Sequence, residues 1–131
     1  MASRESFISG RTGRGPAHTS DRSGTTHDRF MRVTSLVLVP LGLIAAWLIA
    51  DLAGANFEEA RAQLAHPLSA LALIAFIALG AAHARRGAES IIIDYVHDPA
   101  LKEQALVVNK WAARAIAVVW TLAILLIAAP R

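Results

Sequence analysis

The stretch VTSLVLVPLGLIAAWLIA, residues 33–50, decides the fold because it holds eighteen consecutive residues without a charge. An apolar run of about 20 residues is long enough to cross the hydrocarbon layer of a bilayer as one helix. Pro40 within the run is tolerated in such a helix. Trp47, near its far end, is a residue type enriched at membrane interfaces. The stretch therefore predicts a first transmembrane helix over about 33–52.

Two further apolar runs predict two more membrane helices. Residues 67–82 hold sixteen uncharged residues, which are too few to cross alone, so this helix must continue through the polar segment that follows. Pro67 suits a first helical turn. The sequence predicts the second helix over about 66–96 and the third over about 105–129.

The composition agrees with a membrane protein. Hydrophobic residues make up 55% of the 131-residue chain and charged residues only 18%. The net charge of +3 could indicate nucleic-acid binding, but no soluble domain is left to carry a basic surface, so we expect no nucleic-acid partner. The absence of cysteine excludes thiolate metal sites and disulfides within this chain. The predicted fold class is all-α and integral to the membrane, with one three-helix anchor domain over 33–131.

Residues 1–32 are rich in Ser, Thr, Gly and Arg and show no apolar period, so they predict a flexible polar tail on the cytoplasmic side. The acids Glu5, Asp21 and Asp28 count against a mitochondrial transit peptide. We therefore expect the bacterial inner membrane rather than the mitochondrial inner membrane.

The distribution of basic residues predicts the orientation in the membrane. The segment between the second and third helices holds Lys102 and Lys110, whereas the first loop has Arg61 among three acids. Cytoplasmic segments carry the excess of Lys and Arg, so the N-terminus is predicted to be cytoplasmic and the C-terminus periplasmic. The basic residues of the tail point the same way: Arg4, Arg11, Arg14, Arg22, Arg29 and Arg32.

The second predicted helix carries ionisable residues inside an apolar segment. They are His83, Arg85, Arg86 and Glu89. A charged group at a helix centre costs about 2.5–3.5 kcal/mol on insertion scales. Such groups therefore face a protein interior, a cofactor or water more often than lipid.

His83 follows sixteen uncharged residues, which places it near the middle of the membrane. It has two interpretations of about equal weight. It is either a neutral histidine hydrogen-bonded to a neighbouring helix or an axial ligand of haem iron. Because His66 and His97 lie near the two membrane surfaces, a second axial ligand would have to come from another subunit.

Arg86 and Gly87 lie three and four residues after His83 and so share its side of a helix. Arg86, or its neighbour Arg85, could pair with a haem propionate, and glycine would let a flat macrocycle approach the backbone. The alternative for one of the two arginines is an ion pair with Glu89.

Asp94 and Tyr95 form an adjacent carboxylate and phenol at the cytoplasmic end of the second helix. A Tyr hydroxyl can donate to a quinone carbonyl oxygen, and an Asp beside it can orient a partner or deliver protons. The alternative is an interfacial tyrosine next to a helix-end carboxylate without a ligand.

The run His83-Ala-Arg-Arg-Gly87, followed by Asp94-Tyr95-Val-His97, resembles the hydrophobic membrane anchor of succinate dehydrogenase, the cytochrome b-type anchor of respiratory complex II, over residues 30–131. The resemblance implies that His83 is an axial ligand of a b-type haem shared with a companion cytochrome subunit. It implies that Tyr95 hydrogen-bonds a carbonyl oxygen of ubiquinone and that Asp94 supports that site.

The same resemblance implies that a flavoprotein subunit and an iron–sulfur subunit are bound on the cytoplasmic face, in a succinate:quinone oxidoreductase. This chain would not be catalytic alone. Two alternatives are a small proton-coupled transporter subunit, with Glu89 and the arginines lining a path, and a structural membrane anchor without a cofactor.

Overall fold

The structure, a computed structural model, describes residues 22–129. Four helices occupy most of this range and no strand occurs in it. The predicted all-α class is confirmed. The helices are α1 (Arg22–Leu52), α2 (Phe57–Ala65), α3 (Pro67–Tyr95) and α4 (Pro99–Ala128).

Three of these helices are long and apolar enough to cross a membrane: Thr26–Leu52 of α1, Pro67–Tyr95 and Pro99–Ala128. The shortest of the three spans has 27 residues, which extend about 40 Å at 1.5 Å per residue. This length exceeds the hydrocarbon layer of about 30 Å, so the polar ends of the helices reach the interfaces. The three predicted membrane helices are confirmed, the second being α3 and the third α4.

Two helix boundaries differ from those predicted. α1 begins at Arg22 rather than at 33, and α4 begins at Pro99 rather than at 105. The prediction of a flexible tail over 1–32 is therefore wrong for 22–32, while 1–21 lies outside the described residues. Uncharged runs mark only the part of a helix that lies in lipid, whereas backbone hydrogen bonding continues into the polar segments at each end.

The connections between the helices are short and use local capping. Gly54, with φ of +93°, lies just after α1 in a conformation that side chains rarely adopt. The Asn56 side chain accepts a hydrogen bond from the Glu59 backbone N–H at 3.0 Å, and the Glu59 carboxylate accepts one from the Asn56 N–H at 3.0 Å. This reciprocal capping box begins α2, a helix that was not predicted. At the start of α4, Asp98 Oδ1 accepts from the Leu101 N–H at 2.8 Å.

α3 is the central helix, since α1 and α4 each pack chiefly on it. In residues 26–129 only four apolar residues are buried: Ala45, Leu48, Leu73 and Ile124. Large apolar side chains cover the outside instead, with Leu36 74% exposed and Leu126 76% exposed. Such a surface belongs in lipid or against other membrane helices.

Candidate functional site

Glycines bring α1 and α3 close together. A Cβ built on Gly80 of α3 would lie 3.9 Å from Leu38 Cδ2, and one built on Gly42 of α1 would lie 3.5 Å from the ring of Phe76. Small residues allow membrane helices to approach in this way. We call this contact the α1–α3 interface, and it holds the predicted haem ligand.

His83 lies at the α1–α3 interface, half-buried, with its Nδ1 atom 2.7 Å from Thr34 Oγ1 of α1. Thr34 is only 5% exposed, and its hydroxyl donates to the backbone carbonyl oxygen of Phe30 at 2.7 Å. This hydrogen bond to α1 agrees with the first interpretation of His83, in which a neutral histidine is hydrogen-bonded to a neighbouring helix. It occupies only Nδ1, and no residue in 26–129 hydrogen-bonds to Nε2.

Gly87 also faces α1, one turn beyond His83. A Cβ built on it would lie 3.7 Å from Met31 Cε, an ordinary van der Waals distance. The methionine side chain therefore packs against this glycine, and Gly87 lets α1 approach the α3 backbone. The structure gives Gly87 a helix-packing role, while its predicted contact with a macrocycle stays a prediction.

The two arginines lie on different sides of α3. The Arg86 guanidinium carbon is 5.6 Å from the centroid of the Phe30 ring, a cation–π contact on the side of α1. Arg85 lies on the side of α4, where it lines a cavity of about 210 Å³ and its backbone carbonyl accepts from Asn109 Nδ2 at 2.9 Å. Of the pair, Arg86 shares the side of His83 and Arg85 does not.

Glu89 lies on the α4 side with Arg85 and lines the same cavity. Its Oε2 atom is buried without a hydrogen-bond partner in the described part of the chain. The structure contradicts the alternative in which Glu89 pairs with Arg85 or Arg86. Within residues 26–129, no ion pair joins Glu89 to either arginine. The salt bridge that this range does contain joins Arg32 to Asp28 at 3.0 Å.

Asp94 and Tyr95 are the last two residues of α3, and both side chains are exposed. No residue in the described range hydrogen-bonds to either side chain. Tyr95 follows His83 by twelve residues, which corresponds to about 18 Å along a helix axis. Lys102 of α4 reaches the same end of α3, where its Nζ donates to the Ile93 carbonyl oxygen at 3.1 Å.

The contribution of α1 to this site was not predicted from the sequence. Phe30, Met31 and Thr34 contact the His83 side of α3, and His27 Nε2 lies 3.1 Å from Ser90 Oγ further along the same helix pair. Thr34 was visible as a polar residue inside the first apolar run. His27 fell within the predicted tail, so nothing in the sequence pattern pointed to it.

No group of three or more His, Asp or Glu side chains within the described range could hold a metal ion. A haem shared between two subunits would need only one nitrogen ligand from this chain. The assignment of His83 therefore stays a prediction, as do those of Tyr95 and Asp94.

The fold and its exposed apolar surface define a multi-pass membrane protein. A family model described as succinate dehydrogenase/fumarate reductase transmembrane subunit matches residues 12–129. Because the match covers most of the chain, this protein belongs to that family and works with the other subunits of such a complex. The match begins earlier than the predicted resemblance over 30–131 and includes part of the polar tail.

Neither a curated protein nor a solved structure matches the chain significantly.

Proposed function

We propose that this subunit binds a b-type haem through His83, with the second axial ligand supplied by a companion cytochrome subunit. The proposal rests on the position and the hydrogen bonding of His83. It lies in the middle of a membrane helix, is held through Nδ1 by Thr34, and keeps Nε2 free of any partner in residues 26–129. Haem iron takes a neutral imidazole nitrogen of this kind.

The residues around His83 have the chemistry that haem needs. Two apolar side chains of α1 lie on the same side of α3, Phe30 against the Arg86 guanidinium and Met31 against Gly87. A guanidinium there can pair with a propionate. When bound, the haem supplies one-electron redox chemistry, and this chain contributes the ligand nitrogen, its orientation and the charge of Arg86.

We also propose that Tyr95 and Asp94 form part of a ubiquinone-reduction site at the end of α3. Both side chains are exposed and free of partners in the described residues, so they are accessible to a ligand from the membrane interface. The Tyr95 hydroxyl would donate to a quinone carbonyl oxygen, and the Asp94 carboxylate would support the site and its protonation. Lys102 of α4 places a cation at this end of α3.

The iron–sulfur and flavoprotein subunits would dock on the cytoplasmic face, at the α3–α4 turn. The basic tail and the basic segment at the start of α4 support this orientation under the positive-inside rule. Electrons from succinate would then reach the quinone beside Tyr95. The membrane would be the bacterial inner membrane.

A His83→Leu variant tests the haem proposal in the intact complex purified from membranes. We expect the wild-type complex to show a b-type absorption band and a low-spin haem signal by electron paramagnetic resonance. Leucine offers no ligand atom, so the variant should lose that signal. His97→Gln, an exposed histidine beyond α3, is the matched control and should keep it.

An unchanged haem signal in His83→Leu would show that His83 is not the ligand. A wild-type complex without haem would favour the cofactor-free membrane anchor instead.

A further inference from the structure

We infer that Thr34 is a positioning residue for His83: its hydroxyl accepts the Nδ1–H of the imidazole and fixes the tautomer that leaves the Nε2 lone pair available. The inference rests on the proposed haem-binding function, because it states how α1 prepares His83 for an axial bond. It assigns a specific role to one residue of α1, the helix whose Phe30 and Met31 pack on the same side of α3.

The hydroxyl proton of Thr34 has two possible acceptors within α1. Thr34 Oγ1 lies 2.7 Å from the Phe30 carbonyl oxygen and 3.2 Å from that of Met31. A carbonyl oxygen can only accept, so two oxygens at 2.7 Å must have a proton between them. A threonine inside a helix commonly donates in this way to the carbonyl four residues earlier. The single hydroxyl proton is therefore used within α1.

The position of the imidazole proton follows from that of the hydroxyl proton. Nδ1 of His83 lies 2.7 Å from the same Oγ1 atom, which is a hydrogen-bond distance. Since the hydroxyl proton is already directed to Phe30, the proton of this second bond belongs to Nδ1. A neutral imidazole carries one N–H, so Nε2 then holds the lone pair. This is the tautomer that an Nε2 ligand requires.

Burial protects the Thr34 hydroxyl from water. Thr34 is 5% exposed, so water does not replace its hydroxyl as the acceptor. An Nδ1–H without an acceptor in such an apolar interface would be costly, and this disfavours rotation of the ring away from Thr34. Hydrogen bonds to the second nitrogen of a ligating histidine commonly fix the ring and raise its basicity. Here the acceptor comes from a different helix, so α1 and α3 together set the position of the ring.

The test compares three variants of the intact complex. Thr34→Val keeps the side-chain shape and removes the hydroxyl, whereas Thr34→Ser keeps the hydroxyl. Ser35→Ala is the matched control, because the Ser35 hydroxyl bonds the Met31 carbonyl on the exposed side of α1 at 2.7 Å. The readouts are the haem midpoint potential, the low-spin resonance signal and the haem retained per flavin after washing.

We expect Thr34→Val to raise the midpoint potential, since a less basic imidazole stabilises ferric iron less. Its low-spin signal should shift or broaden, and its haem affinity should fall on the order of tenfold, at the lower end of the range for such partners. Thr34→Ser and Ser35→Ala should both resemble the wild type.

A Thr34→Val complex with the wild-type potential and signal would overturn the inference. Equal changes in Thr34→Ser and Thr34→Val would also overturn it, because the cause would then be packing. In both cases a lost signal in His83→Leu would leave the haem proposal standing. An unchanged signal in His83→Leu would remove the haem proposal, and the role of Thr34 with it.

Discussion

Tyr95 and His83 occupy opposite kinds of environment on one helix. The Tyr95 side chain is 76% exposed at the end of α3, whereas His83 is held in the α1–α3 interface. A residue that must meet a diffusing ligand has to be accessible, and a residue that must hold a fixed group has to be oriented by its neighbours. The two proposed roles therefore agree with the two environments.

At the residue scale, Tyr95→Phe tests the quinone role because it removes one hydroxyl and keeps the ring. Loss of one neutral hydrogen bond costs about 0.5–1.5 kcal/mol, so succinate–quinone reductase activity should fall by up to about tenfold. Succinate oxidation with an artificial acceptor should be unchanged, since such acceptors take electrons from the soluble subunits.

The neighbouring His97→Gln variant is the control for Tyr95, because this exposed residue lies in the same turn. Unchanged quinone reductase activity in Tyr95→Phe would show that the hydroxyl does not bind the quinone. An equal loss with the artificial acceptor would place the defect in assembly of the complex and would likewise contradict the role.

The helices α1 and α3 depend on each other through glycine contacts. Gly80 faces Leu38, and Gly87 faces Met31, on the same side of α3 as His83. The Thr34–His83 hydrogen bond joins the same two helices. The helix pair, rather than either helix alone, therefore defines the geometry of the site.

At the element scale, Gly80→Leu should weaken the α1–α3 interface. A Cβ at this position already meets Leu38 at 3.9 Å, so a longer branched side chain must push the helices apart. Overpacking of this kind costs about 1–3 kcal/mol. We expect a lower midpoint of thermal unfolding for the complex in detergent, followed by haem release. Gly80→Ala should stay near the wild type, and a similar loss in both variants would contradict the explanation.

The sequence predicted those features that depend on local composition. Uncharged runs located all three membrane helices, and the depth of His83 in one of them identified it as a candidate ligand. The short helix α2 was missed, although Asn56 followed by Glu59 is a recognisable helix start. The Thr34–His83 bond could not be predicted, because it depends on the register of two helices whose residues are 49 positions apart.

The molecule as a whole buries little of its own apolar surface. An apolar groove of about 460 Å³ runs between α1, α3 and α4, and most of its lining consists of aliphatic and aromatic side chains. The polar and charged residues lie mainly at the helix ends and in the turns. This arrangement fits a subunit whose apolar surface is covered by lipid and by other membrane helices.

At the scale of the molecule, the orientation can be tested directly because the chain has no cysteine. Ala53→Cys places a single thiol in the turn after α1, and Ala100→Cys places one at the start of α4, both at exposed positions. A membrane-impermeant maleimide should label Ala53→Cys in intact spheroplasts. It should label Ala100→Cys only after the membrane is opened and the soluble subunits are removed. The reverse pattern would invert the orientation.

The central position of α3 has a consequence for biogenesis. During synthesis α1 enters the membrane before the helix on which it packs, so the Thr34 hydroxyl meets lipid first. That state is inexpensive, because the hydroxyl is already bonded to the Phe30 carbonyl within its own helix. The His83 imidazole, unlike the Thr34 hydroxyl, has its hydrogen-bond partner on another helix. Because α1 is inserted first, that acceptor is already in the membrane when α3 is inserted. The order of the helices along the chain thus provides an acceptor for the His83 imidazole before α3 is inserted.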